Sequence, residues 1–182
     1  GPAGVMRSLG LDAQARRKAK PGLINVSTSG FGTQGPSRER PGLDIAAQAE
    51  SGMMSITGER GGAPLKSGFP VADAATANAT ANAILAALYR QSRSGQGETI
   101  ETSLLAVAIA MQAQIWAEYQ CTGKQPPRSG NAQPLVAPAA DLITVQDGHI
   151  VISAYLDEHW RRLCKAVGQP DRVVGLHVEG IG

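Results

Sequence analysis

Two kinds of hydrophobic periodicity follow one another along the chain and predict an alternation of strands and helices. Residues 23–27 form a short β-prone run that ends at a glycine-rich segment, and residues 98–102 alternate as a strand does. Around these strands, apolar residues recur at helical spacing. The spacing predicts helices over residues 44–54, 74–89 and 104–119, with Asp44 and Ser103 as the caps of the first and third. This alternation is typical of a parallel α/β sheet, which is the fold class that we predict.

The pattern changes after residue 122. Residues 123–138 are rich in proline, glycine and glutamine, which is typical of a linker or an irregular loop. Two β-prone runs, residues 142–145 and 149–153, then lie on either side of an Asp-Gly pair, which is a strong signal for a hairpin. A further helix is predicted over residues 157–167. A hairpin followed by a helix indicates a second, α+β part of the chain.

Composition narrows the class of protein. The 182 residues are 42% hydrophobic but only 4% aromatic, so we expect a core of Ala, Leu, Ile and Val. The formal net charge of +2 comes from scattered basic residues, which argues against a nucleic-acid-binding surface. The most apolar run, residues 104–111, is too short to span a membrane. Cys121 and Cys164 have no metal-ligand spacing and indicate a reduced, intracellular protein more than a disulfide scaffold, and we expect a cytoplasmic one.

Asp73 is the carboxylate that we single out. It stands where an apolar loop meets the start of the predicted helix over residues 74–89, and ligand chemistry in α/β sheets is found at such positions. One interpretation is structural, since aspartate is a preferred helix N-cap. The other is chemical: an ionised carboxylate held at a helix N-terminus can act as a nucleophile toward an activated acyl group.

Other candidates are less specific. Ser27, Ser29 and the glycine-rich residues 30–35 could expose backbone N–H groups to a phosphate or an oxyanion, or could form an ordinary turn between a strand and a helix. The three histidines lack partners at the spacing of a catalytic triad or a metal site, and we interpret them as structural or solvent-facing. They are His149, His159 and His177.

Several blocks, taken in order, make the chain resemble the family III CoA-transferases, the group of formyl-CoA transferase and the carnitine CoA-transferases. The resemblance extends to about Pro170. The blocks include Ser27-Thr28-Ser29-Gly30-Phe31-Gly32-Thr33-Gln34-Gly35-Pro36, Arg40-Pro41-Gly42-Leu43-Asp44, Ser51-Gly52-Met53-Met54, Val71-Ala72-Asp73, Ser94-Gly95-Gln96-Gly97, Ser103-Leu104-Leu105 and Gly130-Asn131.

The resemblance implies that CoA moves between an acyl-CoA and a carboxylic acid without a metal. The aspartate of the family, matched by Asp73, attacks the thioester, and an aspartyl-CoA thioester follows. The resemblance also implies CoA contacts at Leu43, Asp44 and Leu104. An arginine that holds the CoA phosphates in the family has Ser8 at its position here, and the adjacent Arg7 is the expected substitute.

The family further implies an architecture and two alternatives. Residues 1–104 are expected to belong to a Rossmann-like large domain, residues 105–128 to a helical linker and residues 129–182 to the start of a small domain, in an interlocked homodimer. The related α-methylacyl-CoA racemases use a histidine where Leu43 stands here, and leucine carries no exchangeable proton, so a racemase is the less favoured alternative. A catalytically incomplete fragment is the other, because family members are about twice as long.

Overall fold

A computed structural model describes residues 8–133, 137 and 139–173. The chain divides into two compact units, one of Gly1–Thr57 and Pro64–Pro126, the other of Gly58–Ala63 and Pro127–Gly182. The helices are α1 (Ala13–Ala19), α2 (Asp44–Glu50), α3 (Met53–Ile56), α4 (Val71–Ser94), α5 (Leu104–Ala110), α6 (Ala113–Thr122) and α7 (Asp157–Ala166), followed by a 3₁₀ turn (Pro170–Val173). The strands are β1 (Asn25–Ser29), β2 (Thr99–Ser103), β3 (Ala139–Val145) and β4 (Gly148–Ala154).

The first unit contains a parallel pair of strands. β1 and β2 run in register from Asn25 beside Thr99 to Ser29 beside Ser103. Three helices, α2 to α4, lie between them in the chain, as a parallel connection requires. The predicted parallel α/β arrangement is therefore confirmed. The approach to β2 needs a glycine at Gly97, because a Cβ atom there would overlap the carbonyl of Leu23.

Alanine and leucine form the core of this unit; of the four residue types that the composition predicts, Ile and Val are not among the described buried residues. Ala47, Ala72, Leu104 and Ala108 are buried together, with Met53 packed against them. They come from α2, α4 and α5, so three helices approach one another closely around α4. The helix α4 is longer than predicted at both ends. Its C-cap is Gly95, whose φ of 69° lets the chain leave the helix without strain.

Two predicted helices are interrupted. The helix expected over residues 44–54 divides into α2 and α3 at Gly52, which has a φ of 84°. The helix expected over residues 104–119 divides into α5 and α6 at Gln112. There the N–H of Gln112 donates to the carbonyl of Ile109 and its side-chain Nε2 to that of Ala108, at 3.0 Å each. The side chain thus takes the place of the helical hydrogen bond and tightens the turn. The predicted cap, Ser103, is confirmed: its hydroxyl accepts from the N–H of Ala106 at 3.2 Å.

The second unit contains the predicted hairpin. β3 and β4 are antiparallel, with Val145 beside Gly148 at the turn, so that prediction is confirmed with longer strands than expected. Helix α7 follows and ends at Ala166, with Val167 as its C-cap and Gly168 next in the chain at a φ of 71°. Among the residues described, no helix is long and apolar enough to cross a membrane. Nor do the described His, Cys, Asp and Glu side chains gather in groups of three or more that could hold a metal ion.

Candidate functional site

Asp73 lies in the first turn of α4 rather than at its cap. The helix begins at Val71, the cap position is Pro70, and the carbonyl of Pro70 accepts from the N–H of Ala74 at 3.0 Å. The interpretation of Asp73 as an N-cap is therefore wrong. Its side chain is exposed and, within the described part of the chain, makes no hydrogen bond or ion pair. This leaves the carboxylate available to a molecule in solution.

The cap of α4 comes from Asp44, at the start of another helix. Its Oδ1 accepts from the N–H groups of Ala72 and Asp73 at 2.8 and 3.1 Å. The prediction that Asp44 caps its own helix is wrong: Leu43 occupies that cap position and makes no side-chain cap bond. A carboxylate at this place satisfies two of the N–H groups that a helix start leaves free, and its charge suits the positive end of the helix dipole.

Gln48 binds the carboxylate oxygen of Asp44 that does not bind the backbone of α4. It lies one turn further along α2, it is fully buried, and its Nε2 donates to Oδ2 of Asp44 at 2.5 Å. Its Oε1 accepts from the backbone N–H of Ser67 at 2.8 Å. Sequence reasoning missed Gln48. The spacing of Asp44 and Gln48 by four residues was the available signal, since such pairs meet on a helix, but the contact with Ser67 has no local signature.

A groove of about 400 Å³ runs along α4 beside Asp73. Its lining combines small or apolar side chains with hydroxyl groups, and consists of Thr28, Asp73, Thr76, Ala77, Thr80, Ala81, Ile84 and Leu104. The hydroxyl of Thr102 lies 2.9 Å from that of Thr28 and 3.0 Å from that of Thr80. These contacts join both strands to α4, so the groove has a hydrogen-bonded wall.

The glycine-rich segment after β1 is held by contacts of its own. Gly30 and Gly42 lie so close that a Cβ atom on either would overlap the Cα of the other, and the carbonyl of Gly30 accepts from the N–H of Leu105 at 3.0 Å. The guanidinium of Arg40 stacks 4.4 Å from the ring centre of Phe31 and pairs with Glu50. The hydrogen bond from Arg40 lowers the pKa of the Glu50 carboxyl. These contacts fix the segment next to the start of α2.

The remaining predicted site residues differ in their surroundings. Leu43 is 66% exposed, whereas Leu104 is buried and reaches the groove that contains Asp73. Arg7 and His177 lie outside the described residues. The structure therefore brings together Asp44, Asp73 and Leu104 around the start of α4, with Leu43 adjacent to Asp44 in the chain.

A model of CoA-transferase family III matches residues 2–177. The chain belongs to CoA-transferase family III. Within the family it is 37% identical over 173 residues to a succinyl-CoA:mesaconate CoA-transferase of Haloarcula hispanica, covering 93% of this chain and 43% of that protein. It is 40% identical over 159 residues to a succinate–glutarate CoA-transferase of Agrobacterium fabrum, covering 87% of this chain and 40% of that protein.

A solved structure of the family has the same fold. A CaiB/BaiF family protein from Brucella suis superposes with a TM-score of 0.81 at 33% identity, over 94% of this chain and 45% of that one. This chain thus spans less than half the length of the family III relatives that it matches. The similarity confirms the resemblance found in the sequence and places the parallel sheet and α4 within the family fold.

Proposed function

We propose that the protein transfers CoA between an acyl-CoA and a carboxylic acid, and that Asp73 is its nucleophile. The observation that carries the proposal is the exposed Asp73 carboxylate, without a partner in the described chain, beside the groove along α4. Membership of CoA-transferase family III and the activities for which the relatives are named support the reaction class. Those names pair succinyl-CoA or succinate with mesaconate or glutarate. They favour the CoA thioester of a dicarboxylic acid as the donor and another dicarboxylic acid as the acceptor.

The proposed chemistry is thioester exchange through covalent intermediates. The carboxylate of Asp73 attacks the acyl carbon and expels the CoA thiolate, which leaves a mixed anhydride. The thiolate then attacks the Asp73 carbonyl and releases the donor acid, so that an aspartyl-CoA thioester forms. The acceptor carboxylate attacks the carbonyl of that thioester and expels the CoA thiolate, which gives a second mixed anhydride. The thiolate then attacks the acyl carbon of the acceptor, so that the new acyl-CoA forms and the Asp73 carboxylate is released. One difficult step becomes several easier ones, and the exchange is close to isoenergetic because a thioester replaces a thioester.

CoA contacts are proposed at Leu43 and Leu104, with Arg7 on the phosphates. Leu104 lines the groove beside Asp73, and its apolar surface suits the uncharged arm of CoA. Leu43 is 66% exposed next to the residue that caps α4, so a bound molecule would cover apolar surface that water now meets.

A homodimer is part of the proposal. Ile109, Met111, Trp116 and Tyr119, in and between α5 and α6, are between 38% and 49% exposed. Apolar side chains in such a group are typical of a surface that another chain covers. Light scattering of the complete protein should give twice the mass of one chain, and a compact monomer would contradict this part of the proposal.

The nucleophile is tested by trapping. The complete protein is incubated with an acyl-CoA alone, digested, and examined by mass spectrometry for CoA on the peptide that contains Asp73. The adduct is expected in the wild type, is expected to disappear on addition of a carboxylate acceptor, and should be absent from Asp73→Ala. Asp147→Asn, at the exposed hairpin turn, is the control and should leave the adduct unchanged. Transfer activity in Asp73→Ala, or an adduct at another residue, would overturn the assignment.

A further inference from the structure

Side chains of α2 hold the turn of α4 that carries Asp73, although α2 lies about 28 residues earlier in the chain. We infer that Asp44 and Gln48 form a positioning pair that fixes the direction of the Asp73 carboxylate toward the reacting acyl group. The inference rests on the proposed function, because it concerns the nucleophile of that reaction. It assigns to Gln48 the role of holding the Asp44 carboxylate, and to Asp44 the role of holding the first turn of α4.

In each hydrogen bond of the pair, it is fixed which group donates and which accepts. The backbone N–H of Ser67 can only donate, so it must meet the oxygen of the Gln48 amide, at 2.8 Å. The amide nitrogen of Gln48 therefore faces Asp44 and donates to Oδ2. Oδ1 of Asp44 in turn meets two backbone N–H groups, which also can only donate. The side chain at position 44 must therefore accept from the N–H groups of α4, and the group of Gln48 that faces Asp44 must donate.

Burial of Gln48 and Ala72 makes these donor and acceptor roles a requirement for stability. Gln48 is fully buried, so no water can replace a lost partner of its amide. Ala72, whose N–H is one of the two that Asp44 binds, is also fully buried. A mismatch at the Gln48 amide or at the Ala72 N–H leaves a polar group without a partner in the interior, and the start of α4 must then move to relieve it.

Movement of this turn acts directly on the nucleophile. Within the described residues the Asp73 carboxylate has no partner of its own, so its location depends on the backbone that carries it. The first turn of a helix frays when its N–H groups lack acceptors. A nucleophile displaced by about 1 Å loses rate on the order of 100-fold, because the near-attack geometry is lost.

A swap of polarity tests the inference in the complete protein. In Asp44→Asn the new amide nitrogen meets the amide nitrogen of Gln48, and in Gln48→Glu two carboxylates face each other. The double substitution restores one donor and one acceptor: the new amide at position 44 donates to the new carboxylate at position 48. That carboxylate still accepts from the N–H of Ser67, and the oxygen at position 44 still accepts from Ala72 and Asp73.

We expect each single substitution to lower kcat, and the rate of CoA attachment to Asp73, on the order of 100-fold, while the KM for acyl-CoA changes less than about threefold. The double substitution should recover most of that loss, to within about tenfold of the wild type. Rates are measured at a temperature at which circular dichroism shows every variant fully folded. Gln146→Glu, an exposed change at the hairpin turn, is the matched control and should leave kcat unchanged.

The failure of the proposed function is distinguishable from the failure of this inference. A wild-type protein without an Asp73 adduct contradicts the proposed function. If the wild type forms the adduct and both single variants form it at the wild-type rate, the positioning pair is disproved. It is also disproved if Asp44→Asn raises the KM for acyl-CoA at constant kcat, because the Asp44 charge is then a substrate contact. A double variant that is as slow as the slower single one disproves it too, because restoring the donor and the acceptor then fails to restore the rate.

Discussion

Oδ1 of Asp44 accepts the backbone N–H of Asp73 at 3.1 Å, although 29 positions separate the two residues. One aspartate thus holds the backbone of the other and leaves its side chain exposed. Asp44 therefore stabilises the start of α4, whereas Asp73 is the residue that is proposed to react.

Substitution of Asp44 should therefore lower mainly the stability of the fold, and substitution of Asp73 should lower mainly the transfer activity. Asp44→Ala removes the acceptor of two N–H groups and should lower the free energy of unfolding by about 1–2 kcal/mol. Asp73→Asn removes an exposed charge in the first turn and should lower it by less than about 1 kcal/mol, while it abolishes transfer. Urea unfolding of the complete protein measures both. Equal losses of stability would contradict the division of roles.

Gly30 should not tolerate a side chain. A Cβ atom at this position would overlap the Cα and N atoms of Gly42, which are backbone and cannot rotate away. Gly30→Ala should lower the free energy of unfolding by about 1–3 kcal/mol or more, in the range of overpacked interiors. Gly68→Ala is the matched control, because a Cβ there meets nothing within 4 Å. The contact of Gly30 with Gly42 would be refuted if both variants unfold alike.

The Gln112 side chain should stabilise the break between α5 and α6. Its buried Nε2 donates to the carbonyls of Ser51 and Ala108, each at 3.0 Å. Gln112→Leu leaves these carbonyls without that donor and should lower the free energy of unfolding by about 1–3 kcal/mol. Gln114→Leu, on the exposed side, should change it by less than about 0.5 kcal/mol. Thermal or urea unfolding compares the two, and an equal effect would mean that the amide is not needed.

The Thr102 hydroxyl should contribute to the wall of the groove. It is the shared partner of Thr28 and Thr80. Thr102→Val keeps the shape and removes these hydrogen bonds, so it should lower the free energy of unfolding by about 1 kcal/mol. Thr144→Val, exposed on β3, is the control and should have an effect near zero. Indistinguishable unfolding midpoints for the two variants would show that the hydroxyls do not couple the strands to α4.

The ion pair of Arg40 with Glu50 should add a pH dependence to stability. The hydrogen bond from Arg40 lowers the folded-state pKa of Glu50 below its ordinary 4.5. The unfolded state therefore takes up the proton first, so the contribution is present above about pH 4.5 and is lost as the pH falls through the folded-state pKa. Glu50→Gln and Arg40→Gln should remove the same part of the acid slope in unfolding experiments. Different slopes for the two variants would disprove the pairing.

Local patterns determined much of this protein. The period of the apolar residues predicted β1, β2, α4 and the hairpin, because the side chains that set the period are neighbours in the chain. The blocks around Gly30, Asp44 and Asp73 were enough to indicate CoA-transferase family III, and the family model confirms that assignment. The cap at Ser103 was also visible locally, since its acceptor and its donor are three residues apart.

Only the tertiary structure determined which side chains bind partners that are distant in the chain. Asp44 carries the signature of a cap, but only folding brings its carboxylate to α4 instead of α2. The amide of Gln112 also donates to the carbonyl of Ser51, and the amide of Gln48 accepts from the N–H of Ser67, in each case from a residue distant in the chain. Hydrogen bonds are short and directional, so their partners follow from three-dimensional placement. The sequence identified Asp73 as the candidate nucleophile, and the fold determined what holds it.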